Sequence, residues 1–157
     1  MVITETRHRA TTAIGVVTAA LLVGLFGSPV YVQWAADNAR PDTAGGLFLR
    51  TLAWPAWSLN TNASVREVLA NDLKAIMVIA FAAVFLSILA RVSPYATSMF
   101  NGWAAFMFAG ALAGFIAAFL SNSASLFTAM IWAVAGVAYG LLIGWIVGLA
   151  ELAARRP

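Results

Sequence analysis

The stretch VSPYATSMFNGWAAFMFAGALAGFIAAFLSNSASLFTAMIWAVAGVAYGLLIGWIVGLA, residues 92–150, contains no Asp, Glu, Lys or Arg. An α-helix needs about 20 predominantly apolar residues to cross the hydrocarbon core of a bilayer. The stretch is long enough for two such helices, and the polar run SNSAS at 121–125 supplies a turn between them. We therefore predict two antiparallel transmembrane helices, at residues 97–120 and 126–150.

The composition of the whole chain also favours a membrane location. Of its 157 residues, 62% are hydrophobic and 10% are charged, whereas soluble domains contain about 25% charged residues. The chain has no cysteine, which excludes disulfides and thiolate metal ligands. The net charge of +3 comes mostly from the two tails and forms no basic patch, so we expect no nucleic-acid partner.

Two further apolar segments precede this stretch. The first, residues 11–34, follows the basic residues TRHR and is much longer than the apolar region of a signal peptide, so we interpret it as a retained transmembrane helix. Pro29 should kink or end its regular part, because proline lacks the backbone N–H that a helix needs. The second segment, residues 73–90, is short, and we expect Lys74 at its start to extend its ammonium group to the membrane surface.

Residues 37–72 form the only substantial polar segment, which we predict to be a loop. It contains an apolar part around Trp54 and Trp57 that is too short to span and is interrupted by a proline, so we expect it to lie at the membrane surface or to re-enter the membrane. The two tryptophans suit a membrane anchor or a partner interface. Ser64 and Glu67 have the spacing of a capping box, which predicts that a helix begins at Val65.

Together these segments predict an all-α integral membrane protein with a single membrane domain, residues 1–157. Its four transmembrane helices form an antiparallel bundle with one long extracytoplasmic loop between helices 1 and 2. The arginine-rich composition suggests a bacterial source, and we expect the cytoplasmic (inner) membrane. The positive-inside rule places both termini in the cytoplasm. The arginines that favour this orientation are Arg7, Arg9, Arg91, Arg155 and Arg156.

Glycine recurs at every fourth position of the last predicted helix. In a bilayer, helices associate through close van der Waals contact, and small residues four positions apart let two backbones approach. We predict that this surface packs against the neighbouring helix, and the alternative is a helix from a partner or a second copy. The predicted interface residues are Gly136, Gly140, Gly144 and Gly148, with a shorter series at Gly110 and Gly114 of the preceding helix.

Few residues suggest chemistry. The single histidine, His8, lies in the basic tail, so a histidine-ligated haem or metal inside the membrane is excluded. Asn101 is the most conspicuous polar residue of the predicted spans, and we interpret it as a helix-packing hydrogen-bonding group rather than a ligand-binding one. The loop carboxylates have no accompanying nucleophile and base, so we interpret them as solvated side chains. They are Asp37, Asp42, Glu67 and Asp72.

The sequence therefore predicts no catalytic residue, cofactor or metal. We expect a small non-enzymatic membrane protein, an accessory, scaffold or assembly subunit of a larger bacterial complex such as a respiratory or envelope-biosynthetic one. Its partners would be membrane lipids and other membrane subunits, or a second copy of the chain. The alternative is a small oligomeric transporter or channel subunit, and a third hypothesis is an enzyme that acts on lipid-linked substrates through the loop carboxylates.

Overall fold

The computed structural model describes the backbone of residues 2–58, 64–92 and 98–154, and the side chains of residues 10–58, 64–92 and 99–154. The regular secondary structure of these residues is entirely helical. The side chains of His8 and of four of the five arginines used to predict the orientation lie outside the described part. The six helices are α1 (Val2–Phe26), α2 (Pro29–Asn38), α3 (Ala44–Leu52), α4 (Val65–Val92), α5 (Ser98–Ala118) and α6 (Leu126–Ala154).

Within the described residues, α4, α5 and α6 are long and apolar enough to cross a membrane. The first predicted span is not one straight helix, because α1 and α2 meet at an angle of 62°. The pair counts as a fourth crossing only if the two helices form one broken span, and otherwise it is a re-entrant loop. The described part of the chain is therefore all-helical, with three candidate membrane spans, or up to four.

The break between α1 and α2 has a local cause. Pro29 occupies the first turn of α2, where its missing N–H costs nothing. Ser28 caps this turn, since its hydroxyl oxygen accepts a hydrogen bond from the N–H of Tyr31 at 3.4 Å. The α1 helix ends at Phe26, so the predicted interruption at Pro29 is confirmed.

The segment predicted as a loop, residues 37–72, contains helical structure. Thr43 caps α3 through a hydrogen bond from the N–H of Gly46 to its hydroxyl at 3.1 Å. The α4 helix begins at Val65, as predicted, and the N–H of Glu67 donates to the Ser64 hydroxyl at 3.3 Å. The described residues of this segment therefore include a nine-residue helix and the first turns of α4.

Four helices form the bundle. The α5 helix packs against α6 and α4, and α1 packs against α4 and α6, so the order around the bundle axis is α1, α4, α5, α6. Neighbouring helices run antiparallel. We call the end that carries α3, the start of α4 and the α5–α6 turn the loop end, and the other one the opposite end. The fully buried side chains at the centre include Val78, Phe106, Tyr139, Ile143 and Val147.

Candidate functional site

The glycines of α6 lie against α5. A Cβ atom on Gly110 would be 2.5 Å from the carbonyl oxygen of Gly136, and a Cβ atom on Gly136 would overlap the carbonyl oxygen of Gly110. Real Cβ atoms do not approach backbone so closely, so at this level the two helices meet backbone to backbone. Only glycine at both positions permits this distance.

The same contact continues along both helices. A Cβ atom on Gly140 would overlap the backbone of Met107, and one on Gly148 would overlap the backbone of Met99. Towards the loop end, a Cβ atom on Gly114 would overlap the carbonyl oxygen of Trp132. Gly144 is less crowded, since its nearest neighbour is the Cδ1 atom of Trp103 at 3.0 Å. The structure thus places α5, and not a free surface, against the glycines of α6.

The two loop tryptophans lie against the bundle at the loop end. The indole of Trp57 donates from Nε1 to the carbonyl oxygen of Gly24 at 3.3 Å, and its backbone N–H donates to Gly27 at 3.0 Å. Trp54 reaches further inward, where its ring stacks on Tyr139 with 5.4 Å between ring centroids. Both tryptophans therefore join the α3 segment to the membrane helices.

The α3 helix is fixed to α2 by side chains that satisfy backbone carbonyls. Arg50 donates from Nε to Ala39 at 2.8 Å and from Nη2 to Ala36 at 3.0 Å, which places a cation at the C-terminal end of α2. Carbonyl groups at a helix C-terminus attract positive charge. The hydroxyl of Tyr31 donates to the carbonyl oxygen of Leu49 at 3.1 Å. These bonds hold the turn that carries Trp54 over the end of the bundle.

Lys74 points into the bundle beneath this turn. Its side chain is 6% exposed, and its Nζ lies 5.1 Å from the ring centroid of Trp54 and 5.0 Å from that of Trp132. Both distances are within the range of a cation–π interaction. Nζ also donates to Oδ1 of Asn71 at 3.1 Å. The prediction that the ammonium group extends to the surface is therefore wrong, because two indole rings and an amide oxygen hold it between α4 and α6. We call Lys74 and the residues around its ammonium group, Asn71, Trp54 and Trp132, the lysine site.

Tyr139 contacts the lysine site through Trp54. It is fully buried, stacked on Trp54 and packed against Phe106 with 5.3 Å between ring centroids. Its hydroxyl has no hydrogen-bond partner among the described residues. A buried polar group without a partner is unusual in a native structure and calls for an explanation. Trp54 thus links the buried cation of Lys74 at the loop end to a tyrosine nearer the bundle centre, whose hydroxyl is unsatisfied among the described residues.

The loop carboxylates lie apart from one another. Asp42 pairs with Arg40 at 3.3 Å on the surface, and Asp72 accepts a hydrogen bond from the backbone N–H of Ser58 at 2.8 Å. Glu67 accepts from Nδ2 of Asn122 at 3.2 Å. Within the described residues, no group of three or more His, Cys, Asp or Glu side chains is placed to hold a metal ion.

The opposite end of the bundle contains a second buried ionisable group. Glu151 is 4% exposed, and its Oε1 and Oε2 atoms lie 2.9 and 3.0 Å from where Cβ atoms of Gly15 and Gly102 would be. Asn101 is 9% exposed and Thr11 is 6% exposed. Both are buried polar residues of the helices that meet there, and Asn101 is the polar residue that the sequence singled out.

Sequence reasoning did not find the lysine site. Lys74 follows the polar loop and is close to Asp72, which favours a solvated position. Val78 and Ala82, four and eight positions later, lie on the same helix face and are apolar, but the exposed faces of this span are apolar too, so the pattern gave no signal of burial. Val78 and Ala82 are fully buried, as is Ala70 four positions before Lys74.

Comparison with protein-family models, with curated proteins and with solved structures gives no match, so the proposals that follow are based on the sequence and the structure of this chain.

Proposed function

We propose that this chain is a small non-enzymatic accessory, scaffold or assembly subunit of a larger membrane complex. The observation that carries the proposal is the backbone contact between α5 and α6, which extends from Gly114 to Gly148. Helices in such close contact lose packing on any separation, since no side chain is present to fill a gap. The α5–α6 hairpin is therefore suited to act as a rigid element that holds other subunits in a fixed position within an assembly.

The outward face of α6 supports a role in assembly. It carries a series of bulky apolar side chains that the other described residues leave uncovered, and such a face contacts either lipid or another membrane helix. Each of the following is at least 40% exposed: Phe127, Met130, Ile131, Val134, Leu141, Trp145 and Leu149. We propose that a helix of a partner subunit covers part of this face. The membrane would be a bacterial inner membrane, with both termini of this chain in the cytoplasm.

The alternative, a small oligomeric transporter or channel subunit, is favoured by a different observation. Lys74 and Glu151 are both buried between helices, at opposite ends of the bundle. Ionisable residues within membrane helices often mark ion or substrate pathways. Copies arranged around a common axis would be needed to complete a pore.

The two proposals predict different assemblies. The tagged full chain is extracted from its native membrane in a mild detergent, its native mass is measured, and co-purifying chains are identified. A subunit gives a fixed ratio with one or more other membrane proteins, whereas a channel gives several copies of this chain alone. A monomer without partners would contradict both.

A set of variants tests the α6 face. Replacing Phe127, Ile131 and Val134 together by alanine should release the partner without unfolding the bundle, because these side chains are 51 to 76% exposed. The matched control replaces Ile76, Val84 and Ile88 on the outer face of α4, which are 48 to 62% exposed. Equal loss of the partner in both variants would mean that neither face is a specific contact.

The orientation is tested by cysteine labelling, since the chain has no cysteine of its own. Ala44 is exposed at the start of α3. An impermeant thiol reagent should label Ala44→Cys on intact cells. Labelling only after lysis would place α3 in the cytoplasm and reverse the proposed topology.

A further inference from the structure

The positive charge of Lys74 is not balanced by a carboxylate within the described part of the chain. There, the observed ion pair joins Arg40 and Asp42. The acidic residues closest to Lys74 in sequence have other partners, since Asp72 accepts from the Ser58 N–H and Glu67 accepts from Asn122. A charge buried among membrane helices is costly unless it is paired, so an external anion would stabilise this arrangement.

The groups around the ammonium are mainly hydrogen-bond donors. The ammonium has three N–H donors, of which one is directed at Oδ1 of Asn71 at 3.1 Å, and the amide NH₂ of Asn71 supplies two more. The Tyr139 hydroxyl, fully buried and without a partner in the described structure, adds another. A ligand with several acceptor oxygens and a negative charge would satisfy these groups.

Tyr139 and Trp132 lie on the same face of α6, because seven positions correspond to two turns of the helix. Side chains on an α-helix lean towards its N-terminus, so the Tyr139 hydroxyl extends towards Trp132. Lys74 lies over the Trp132 ring, and Trp54 contacts both Tyr139 and Lys74. Lys74 and Tyr139 therefore contact the same indole, Trp54, and the tyrosine hydroxyl is directed along α6 towards the Trp132 ring over which the ammonium lies.

The position in the fold favours a lipid as the source of the anion. The region lies at the loop end, among tryptophans of the type that concentrate where lipid headgroups meet the hydrocarbon core. A phosphate group offers a negative charge and several acceptor oxygens at this depth.

We propose that Lys74, Asn71 and Tyr139, enclosed by Trp54 and Trp132, form a binding site for the phosphate group of an anionic phospholipid. This site is independent of any protein partner. The ammonium supplies charge attraction, the tyrosine hydroxyl and the asparagine amide donate hydrogen bonds, and the indoles exclude water.

Lys74 is the only lysine of the chain, which makes it directly observable. Full-length protein labelled at the lysine side-chain nitrogen with ¹⁵N gives a single ammonium resonance. It is placed in nanodiscs of phosphatidylcholine alone, in nanodiscs that also contain phosphatidylglycerol, and in phosphatidylcholine nanodiscs with added inorganic phosphate. A saturable shift with phosphatidylglycerol supports the lipid as the source. A saturable shift with inorganic phosphate alone supports the phosphate site but replaces the lipid by a free anion.

Retention of phosphatidylglycerol in native mass spectrometry gives an independent measurement. Lys74→Met removes the charge while keeping an unbranched apolar side chain, and should weaken phosphatidylglycerol binding by about tenfold or more. Tyr139→Phe keeps the ring and should weaken it by about three- to tenfold. The control Arg91→Met removes an exposed charge from the end of the same helix and should leave binding unchanged.

Circular dichroism and native mass show whether each variant is folded. Tyr139→Phe is the decisive variant if Lys74→Met fails to fold, because it removes one oxygen atom. Wild-type protein whose lysine resonance responds to neither phosphatidylglycerol nor phosphate would overturn the proposal, and so would equal loss of lipid in Lys74→Met and Arg91→Met. Either result would make Lys74 a structural contact between Trp54 and Trp132.

Discussion

Replacing Gly136 by alanine should destabilise the bundle, although alanine is the better helix former. The added methyl group would overlap the carbonyl oxygen of Gly110, and backbone cannot move aside as a flexible side chain can. Overpacking of this kind costs about 1–3 kcal/mol. The gain from replacing glycine in a helix interior is about 0.5–1 kcal/mol. We therefore expect a net loss of about 1–2 kcal/mol in the free energy of unfolding.

The matched control is Gly24→Ala in α1. No atom lies within 4 Å of the added Cβ position there, so only the helix preference of alanine acts and stability should be unchanged or slightly higher. Gly140→Leu should destabilise more than Gly136→Ala, because the Cβ position already overlaps the backbone of Met107 and the side chain is larger. Leu141→Ala should have little effect, since Leu141 is 46% exposed.

The measurement is the free energy of unfolding from titration of mixed micelles with sodium dodecyl sulfate, followed by far-UV circular dichroism. The sign of the difference between Gly136→Ala and Gly24→Ala decides the outcome. If both variants are equally stable, or if Gly136→Ala is the more stable one, then α5 and α6 are not in backbone contact at this level and the reasoning is refuted.

Three further predictions concern the loop end. Gly46→Ala should loosen α3 and raise its amide hydrogen exchange, because the added Cβ would overlap the carbonyl oxygen of Arg40. In the control Gly45→Ala the added Cβ meets no atom within 4 Å, so the exchange of α3 should not change. Equal exchange in both variants would contradict the contact between Gly46 and Arg40. Arg50→Met should raise exchange at the end of α2 through loss of two hydrogen bonds to carbonyls, each contributing about 1 kcal/mol. Its control, Arg40→Met, removes only a surface ion pair, and a matching effect there would rule out the capping role of Arg50. Tyr139→Phe should raise the free energy of unfolding of lipid-depleted protein by about 1 kcal/mol, because it removes a buried hydroxyl that has no partner in the described structure. A lower free energy of unfolding in this variant would show that the hydroxyl is already satisfied.

The helices were largely predictable from the sequence, because the apolar interior of a bilayer requires each long apolar segment to be helical. A charge-free stretch in a bilayer must satisfy its backbone internally, so α6 begins at Leu126 as predicted and α5 covers most of residues 97–120. The break at Pro29 and the start of α4 at Val65 follow from local backbone chemistry. Each of these features depends on residues that are close together in sequence.

The lysine site was not predictable in this way. Trp54 and Trp132 are far apart in the chain, and only the fold brings both to Lys74. Apolar patterning cannot reveal which face of α4 is inward, since both the lipid and the bundle interior favour apolar residues. The position of α3 is equally hard to predict, because it depends on hydrogen bonds from Arg50 and Tyr31 to backbone carbonyls. Every residue has such a carbonyl, so the sequence does not show which ones accept.

Glycine has two physical uses in this bundle, and its spacing alone does not distinguish them. At Gly110 and Gly136 the absent side chains let two backbones touch. At Gly15 the absent side chain leaves room for the Cδ1 atom of Leu86 and the Oε1 atom of Glu151, which lie 2.8 and 2.9 Å from the Cβ position. Gly102 serves both uses, since a Cβ atom there would lie 2.7 Å from the Cα atom of Gly148 and 3.0 Å from Oε2 of Glu151. A substitution at Gly136 therefore changes a distance between helices, whereas one at Gly15 displaces the side chains of Leu86 and Glu151. What glycine spacing indicates is close approach, and the residue on the facing helix determines whether the consequence is packing or electrostatics.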